Sequence, residues 1–411
     1  MPSDDTRPRI IDTERHASDT ERQLVACIDT DWIADRAWDL LQIPSVTMEE
    51  GEVCALFERQ LHDLGLKVDV RTVGADGRNN LYARIAGTGD GPTLMLNGHL
   101  DTIPLGDAWP PRRTPDQLYG RGATDMKGGM ASMLGAAKAI LDSGIQLRGD
   151  LVLSAVVGHE ETIARKDGPL ALIDDIKDRR VPADRILIVE GRDALWVMSM
   201  GSMVFTITLD SDRGGMHTQY VPFADNPLRH LGELIGAVHA HQQELDATTQ
   251  HALAGAERID LGAVHGGDYF NRTPTQCTLT GTRRWCPGRD AAQILEELRS
   301  LARPFAEAGQ LDLRVEMEHE REPFETPAED AAVQAVAAAH SLISGDAPDV
   351  VGMRIVGDAN LYVHGCAVPT FYYGPSNETA HADEEWVDIK RMADAACVYA
   401  LAAADYCGLK S

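Results

Sequence analysis

TLMLNGHLDTIP, residues 93–104, reads as a buried apolar strand that runs straight into a histidine and an aspartate. Two further stretches follow the same pattern. LVLSAVVGHEET (151–162) ends on a histidine and two glutamates, and RILIVEGR (185–192) ends on a glutamate and an arginine. Between and around them the spacing turns helical, from Met126 to about Leu141 and again near PLALIDDI. Strands alternating with helices define an α/β domain with a mainly parallel sheet. In such sheets ligand-binding side chains gather beyond the carboxyl ends of the strands. His99, Glu161 and Glu190 fall at those positions. Asp125 in YGRGATDMKGG opens a helix, where the backbone dipole favours a carboxylate. His381 in GPSNETAHADEE follows the apolar run VPTFYYG.

Two histidines and three carboxylates are more than one tetrahedral zinc takes. They suit two divalent cations, zinc, manganese or cobalt, that share a carboxylate and activate a water for hydrolysis. Asp101, two residues after His99, is placed to accept that ring's second N–H. Glu160, beside Glu161, is placed to take a proton from a water and deliver it to a leaving nitrogen. HEET lacks the second histidine of the zinc helix, since position 163 is isoleucine. Neither a nucleophile elbow nor a dinucleotide fingerprint is present.

Residues 31–196 carry the first part of this domain, and the character changes at 197. From 197 to 320 the order is strand, helix, strand, strand, helix, strand, the split βαβ arrangement known from ferredoxin-like domains. The α/β pattern resumes over 321–411 and contains His381. Candidate ligands therefore lie on both sides of the 197–320 segment, which makes it an insertion. Residues 1–30 read as a charged N-terminal arm.

The chain has 411 residues and a formal net charge of −26, which argues against nucleic-acid and anionic-membrane partners. No apolar run approaches the roughly 18 residues of a membrane span. The N-terminus has no apolar signal core, and the 7 cysteines form no C-x-x-C pair. A cytoplasmic enzyme acting on a small molecule fits these properties.

GHLDTIP, YGRGATDMKGGM, the Glu160–Glu161 pair and AHADE together resemble the metallohydrolase family of acetylornithine deacetylase, succinyl-diaminopimelate desuccinylase, aminoacylase and carboxypeptidase G. The resemblance covers nearly the whole chain after about residue 30, the insertion included. It implies that His99 and Glu190 hold one metal, Glu161 and His381 the other, and that Asp125 bridges them. It implies Glu160 as general base and Asp101 as support of His99. It implies that the insertion is a lid that also forms a homodimer or higher homo-oligomer. His217 in GGMHTQYVP would then reach a partner's active site and stabilise an oxyanion. Asn271 in FNRTP and Arg284, or its neighbour Arg283, would hold a substrate carboxylate. The implied reaction is hydrolysis of a C–N bond in an N-acyl amino acid or dipeptide.

Departures from the family pattern are Arg192 in EGRDAL, Met200 in MSMGSM and the charged loop SDRGGMHTQY. They keep open an aminohydrolase that releases ammonia from an aromatic amine such as nitroanthranilic acid, with Arg192 as a substrate contact. A ligand-binding relative without catalysis is the third reading.

Overall fold

The computed structural model describes residues 17–74, 77–376 and 378–410. The chain divides into two compact units. The first runs to Val197 and takes in Thr326–Val351 and the chain from Leu361 onward; the second comprises Met198–Glu325 and Gly352–Asn360.

The sheet of the first unit runs, in spatial order, through Val68–Thr72, Asn79–Ile85, Leu151–Val156, Leu94–His99, Arg185–Ile188 and Thr370–Tyr372. The last four are mutually parallel, and the first two are antiparallel additions at one edge. Leu94–His99 and Leu151–Val156 are buried throughout. Such uniform burial is what an interior parallel strand requires when helices cover both faces. The helix Ile389–Tyr406 packs against Gly128–Ser143 and Ala331–Ser344. Seven of its thirteen buried residues are alanine, which allows a close approach between helices. Because four strands point the same way, the segments after His99, Val156, Ile188 and Tyr372 all emerge at one sheet edge. Among the described residues no helix is long and apolar enough to cross a membrane.

Of the expected charged arm, residues 1–16 lie outside the described residues. The rest is not an arm. Asp19–Ala26 is a helix, closed at its start by a reciprocal capping box between Ser18 and Glu21, with Leu24 and Val25 buried. The helix packs on Ile389–Tyr406 and Gly128–Ser143.

The second unit is a four-stranded antiparallel sheet in the order Arg258–Gly266, Gln276–Trp285, Gly201–Asp210, Asp312–Arg321. The helices Pro227–Thr248 and Ala291–Gly309 pack on it. Strict alternation along Gln276–Trp285 turns Cys277, Leu279, Arg283 and Trp285 inward. They meet Phe205, Ile207, Leu234 and Leu298 in the core. Each fully buried Leu, Ile or Phe there contributes about 1.5–3 kcal/mol. The unit extends past the expected limit at residue 320. Phe324–Glu325 pairs with Met198–Ser199, and the Asn360 amide donates to the Glu322 carbonyl at 2.7 Å.

One inward residue of that strand is charged. Arg283 is fully buried and pairs with Glu257 and Glu297, which also meet Arg289. His241 lies 3.1 Å from Glu297. Burial raises the Glu297 carboxyl, but hydrogen bonds from His241, Arg283 and Arg289 outweigh it and hold the group well below its ordinary range. A carboxyl depressed in the folded state stabilises it above the unfolded value of about 4.3, and that contribution fades as pH falls further. Denaturant unfolding followed at pH 7 and pH 3 is therefore expected to show a larger loss of stability in the parent than in Glu297→Gln. An equal loss in both proteins would contradict this assignment.

Candidate active site

His99 ends its strand fully enclosed. Its Nδ1 lies 2.9 Å from the Asp101 backbone carbonyl, and its Nε2 lies 3.0 Å from Asp125 Oδ1. A ring that donates from Nδ1 to the carbonyl presents Nε2 to the cluster. Burial disfavours a charged His99, but Asp125, Asp101 and Glu160 more than offset this and hold it well above its ordinary range.

The Asp101 carboxylate does something other than the spacing suggested. It stands 3.7 Å from His99 Nδ1. It accepts instead the backbone N–H groups of His159 at 3.0 Å and Glu160 at 2.9 Å. The His99 tautomer is fixed by the main-chain oxygen of Asp101, while its side chain fixes the loop that carries the two glutamates.

Asp125 sits in a loop shaped by Gly120 and Gly122, both at positive φ. Its Oδ2 lies 3.5 Å from His381 Nε2. Burial raises the Asp125 carboxyl, but His381 and His99 outweigh it and hold the group far below its ordinary range. His381, half-exposed and in the left-handed region at φ 63, also lies 3.3 Å from Glu160 Oε2. Asp125 and Glu160 together push its ring up to about 10. Glu160 Oε1 is buried and has no hydrogen-bond partner among the described residues.

Two groups of potential ligands result, His99–Asp125–Glu190 and Asp125–Glu160–His381, each with ligating atoms within 4.8 Å of one another. Asp125 belongs to both. The sequence reading paired Glu161 with His381; here the Glu160 carboxylate takes that place, and the Glu161 amide donates to Thr47 Oγ1 at 3.3 Å. Neither Asp125 nor Glu160 is paired with a lysine or arginine among the described residues. Histidine nitrogens converging on one shared carboxylate, beside a buried carboxylate oxygen with no partner, are a donor set that fits divalent cations.

The loops that carry Glu190 and His381 are tied by a backbone bridge between Gly191 and Ser376. Arg192, just beyond, is exposed. Glu385 was not singled out from the sequence. It is almost wholly buried and accepts the amides of Gly122, Thr124 and Asp125 at 3.0, 2.9 and 3.1 Å, with Arg121 at 2.8 Å. It therefore sets the backbone from which Asp125 projects. In the second unit, His217 is exposed. Its Nδ1 accepts the Gln219 amide, and its Nε2 lies 3.2 Å from Asn271 Nδ2, so these two expected substrate contacts are neighbours. Arg284 donates to the Arg354 carbonyl at 2.9 Å, whereas Arg283 is enclosed in the ion pairs described above.

Residues 95–405 match the family model of peptidase family M20/M25/M40. The succinyl-diaminopimelate desuccinylase of Cereibacter sphaeroides is 30% identical over 382 residues, spanning 90% of this chain and 97% of that one. The desuccinylase of a Methylobacterium species is 31% identical over 378 residues, spanning 87% and 92%. Aminopeptidase PepT from Bacillus cereus superposes with a TM-score of 0.77 at 18% identity, covering 93% of this chain and all of that one. The Bacillus subtilis YXEP protein, described as a dinuclear metal-binding peptidase, superposes at 0.67 with 16% identity, covering 91% and 97%. The fold is thus that of the M20 hydrolases. The chain belongs to peptidase family M20/M25/M40. It is a metal-dependent hydrolase of C–N bonds, which sets aside the reading of a ligand-binding relative without catalysis.

Proposed function

We propose that this enzyme hydrolyses the amide bond of a small, carboxylate-bearing substrate, an N-acyl amino acid or a dipeptide. The observation that carries the reading is the sharing of Asp125 between two ligand groups, the second containing Glu160, one of whose buried oxygens has no hydrogen-bond partner among the described residues. His99 and Glu190 would hold one divalent cation; Glu160 is the carboxylate beside His381 in this structure, but once metal is bound its neighbour Glu161 would join His381 on the other cation and leave Glu160 free as base, Asp125 serving both. Such a pair supplies Lewis acidity toward a carbonyl and a water of lowered pKa. The remaining chemistry belongs to the chain. Glu160 takes the proton of the attacking water and passes it to the departing nitrogen. Asn271 and Arg284 hold the substrate carboxylate; Arg284 is the suitable one of the arginine pair because Arg283 is committed to Glu257 and Glu297.

The second unit would serve as lid and as the surface of a homodimer, with His217 of one subunit stabilising the oxyanion in the site of another. The desuccinylase names of the relatives and the acidic composition support a small-molecule substrate and a cytoplasmic enzyme. The aromatic-amine reading rested on Arg192 and the altered segments around Met200 and SDRGGMHTQY; Arg192 is exposed, and the desuccinylase names of the relatives favour the amide reading.

The test is a turnover screen of metal-reconstituted protein against N-acyl amino acids, dipeptides and aminobenzoates. Release of a free α-amine from the first two classes is the expected result. Ammonia from an aminobenzoate, with both amide classes untouched, would overturn it.

A further inference from the structure

We infer that Thr47, Glu50 and Arg78 are positioning residues, a buried strap whose task is to aim Glu160 and Glu161. The inference rests on the reading of those two glutamates as general base and ligand. Its starting point is a backbone problem. The ladder of the strand Leu151–Val156 ends at Val156, the Val157 amide turns to Asn80 Oδ1 at 3.2 Å, and the next four amides run through a turn at the edge of the cluster. Buried N–H groups without acceptors are costly, so each needs a partner. All four find one on a side chain. The Gly158 amide donates to Glu50 Oε1 at 3.0 Å. Those of His159 and Glu160 donate to the two oxygens of Asp101, and that of Glu161 to Thr47 Oγ1 at 3.3 Å.

Thr47 uses both capacities of its hydroxyl. While accepting from Glu161 it donates to Asp101 Oδ2 at 2.7 Å, so one side chain links the two acceptors that fix adjacent glutamates. The segment bearing Thr47 is itself held. Val46 bridges Thr102, the Thr47 amide donates to the Thr102 carbonyl at 3.1 Å, and Ser45 Oγ donates to the Leu100 carbonyl at 2.8 Å. The strap is therefore laced to the same turn that carries His99 and Asp101.

Glu50 is a fully buried carboxylate, and such a group needs a cation. Arg78, 3% exposed, supplies it, with Nε 2.7 Å from Glu50 Oε2. The same guanidinium grips Asp167 through Nη1 at 2.9 Å and Nη2 at 3.1 Å. Gly158, at φ +68, lies where any Cβ would collide with the Asp167 carboxylate. The turn is thus pinned by four acceptors, a paired arginine and a glycine that nothing larger can replace. Such an arrangement suits two adjacent carboxylates that must keep different tasks.

The test compares Thr47→Val and Thr47→Ser with the parent in the metal-loaded enzyme. Three quantities are read: kcat, KM, and metal affinity by competition with a chromophoric chelator. Valine keeps the volume but leaves the Glu161 amide without its acceptor and removes the hydroxyl link to Asp101 Oδ2, which keeps only the Glu160 amide. The expected result is a loss of about 10–100-fold in kcat and in metal affinity, the range seen when an outer partner of a metal site is removed. KM is expected to hold within about twofold, and serine to restore both losses. If Thr47→Val unfolds, Glu50→Gln replaces it. Glutamine still accepts from Gly158 but loses the charge facing Arg78, and a kcat drop of about 10-fold or more is expected. A variant that melts earlier yet keeps the kcat and metal affinity of the parent would overturn the inference. Glu160→Gln separates the two failures. If that change leaves turnover intact, the underlying reading falls; if it abolishes turnover while the strap variants do not, only the strap falls.

Discussion

Glu160→Gln is expected to fold, to bind metal as the parent does, and to lose about 10²–10⁴-fold in kcat, the usual worth of a positioned general base. The reason is local. One Glu160 oxygen lies 3.3 Å from His381, and the other is buried with no donor to accept from among the described residues. A buried carboxylate oxygen in that state costs stability, a cost that a catalytic role would explain. Glutamine fills the same volume and cannot take a proton. Glu161→Ala is the contrasting variant, expected to lose metal along with activity. Activity assays paired with metal analysis of both variants decide the assignment. If Glu160→Gln releases metal while Glu161→Ala retains it, the roles are exchanged, with Glu160 the ligand beside His381.

Asp125→Ala is expected to have the larger effect. Both ligand groups contain Asp125, and both His99 and His381 face it, at 3.0 and 3.5 Å. Changes to residues that only support a ligand already cost about 10–100-fold in metal affinity. Removing a ligand common to two cations should exceed that range for each. Turnover is expected to fall to background, and the purified variant to carry almost no metal. A variant that keeps one tightly bound cation and measurable turnover would show that Asp125 serves a single site.

The sheet and its edge were legible because fully buried strands write long apolar runs, and a parallel arrangement forces their ends to one side. His99, Asp125, Glu190 and His381 could be placed on that basis. The supports of the site were not legible. Glu385 acts on Gly122–Asp125 from the far end of the chain, and in AHADEE it looks like one more solvated acid. Thr47, Glu50 and Arg78 carry no local signal either; their meaning appears only when residues 45–50 reach the turn at 158–161. Asp101 misled by proximity, since its spacing from His99 is right but its carboxylate is taken by two amides. The helix Asp19–Ala26 was missed, although its Ser18–Glu21 capping box is a local signal, because the stretch is too polar to suggest burial. The helix Asp358–Cys366 offers little periodicity and contains a glycine, so it escaped notice.

The central claim is that two cations share Asp125 and together support hydrolysis. Its most direct test is a titration of metal-stripped protein with zinc, manganese or cobalt, following bound metal and turnover of an N-acyl amino acid or dipeptide in the same samples. The account expects binding to saturate at about two equivalents per chain, as in a two-metal site, and turnover to reach its maximum only there. Saturation of both binding and turnover at a single equivalent would contradict it.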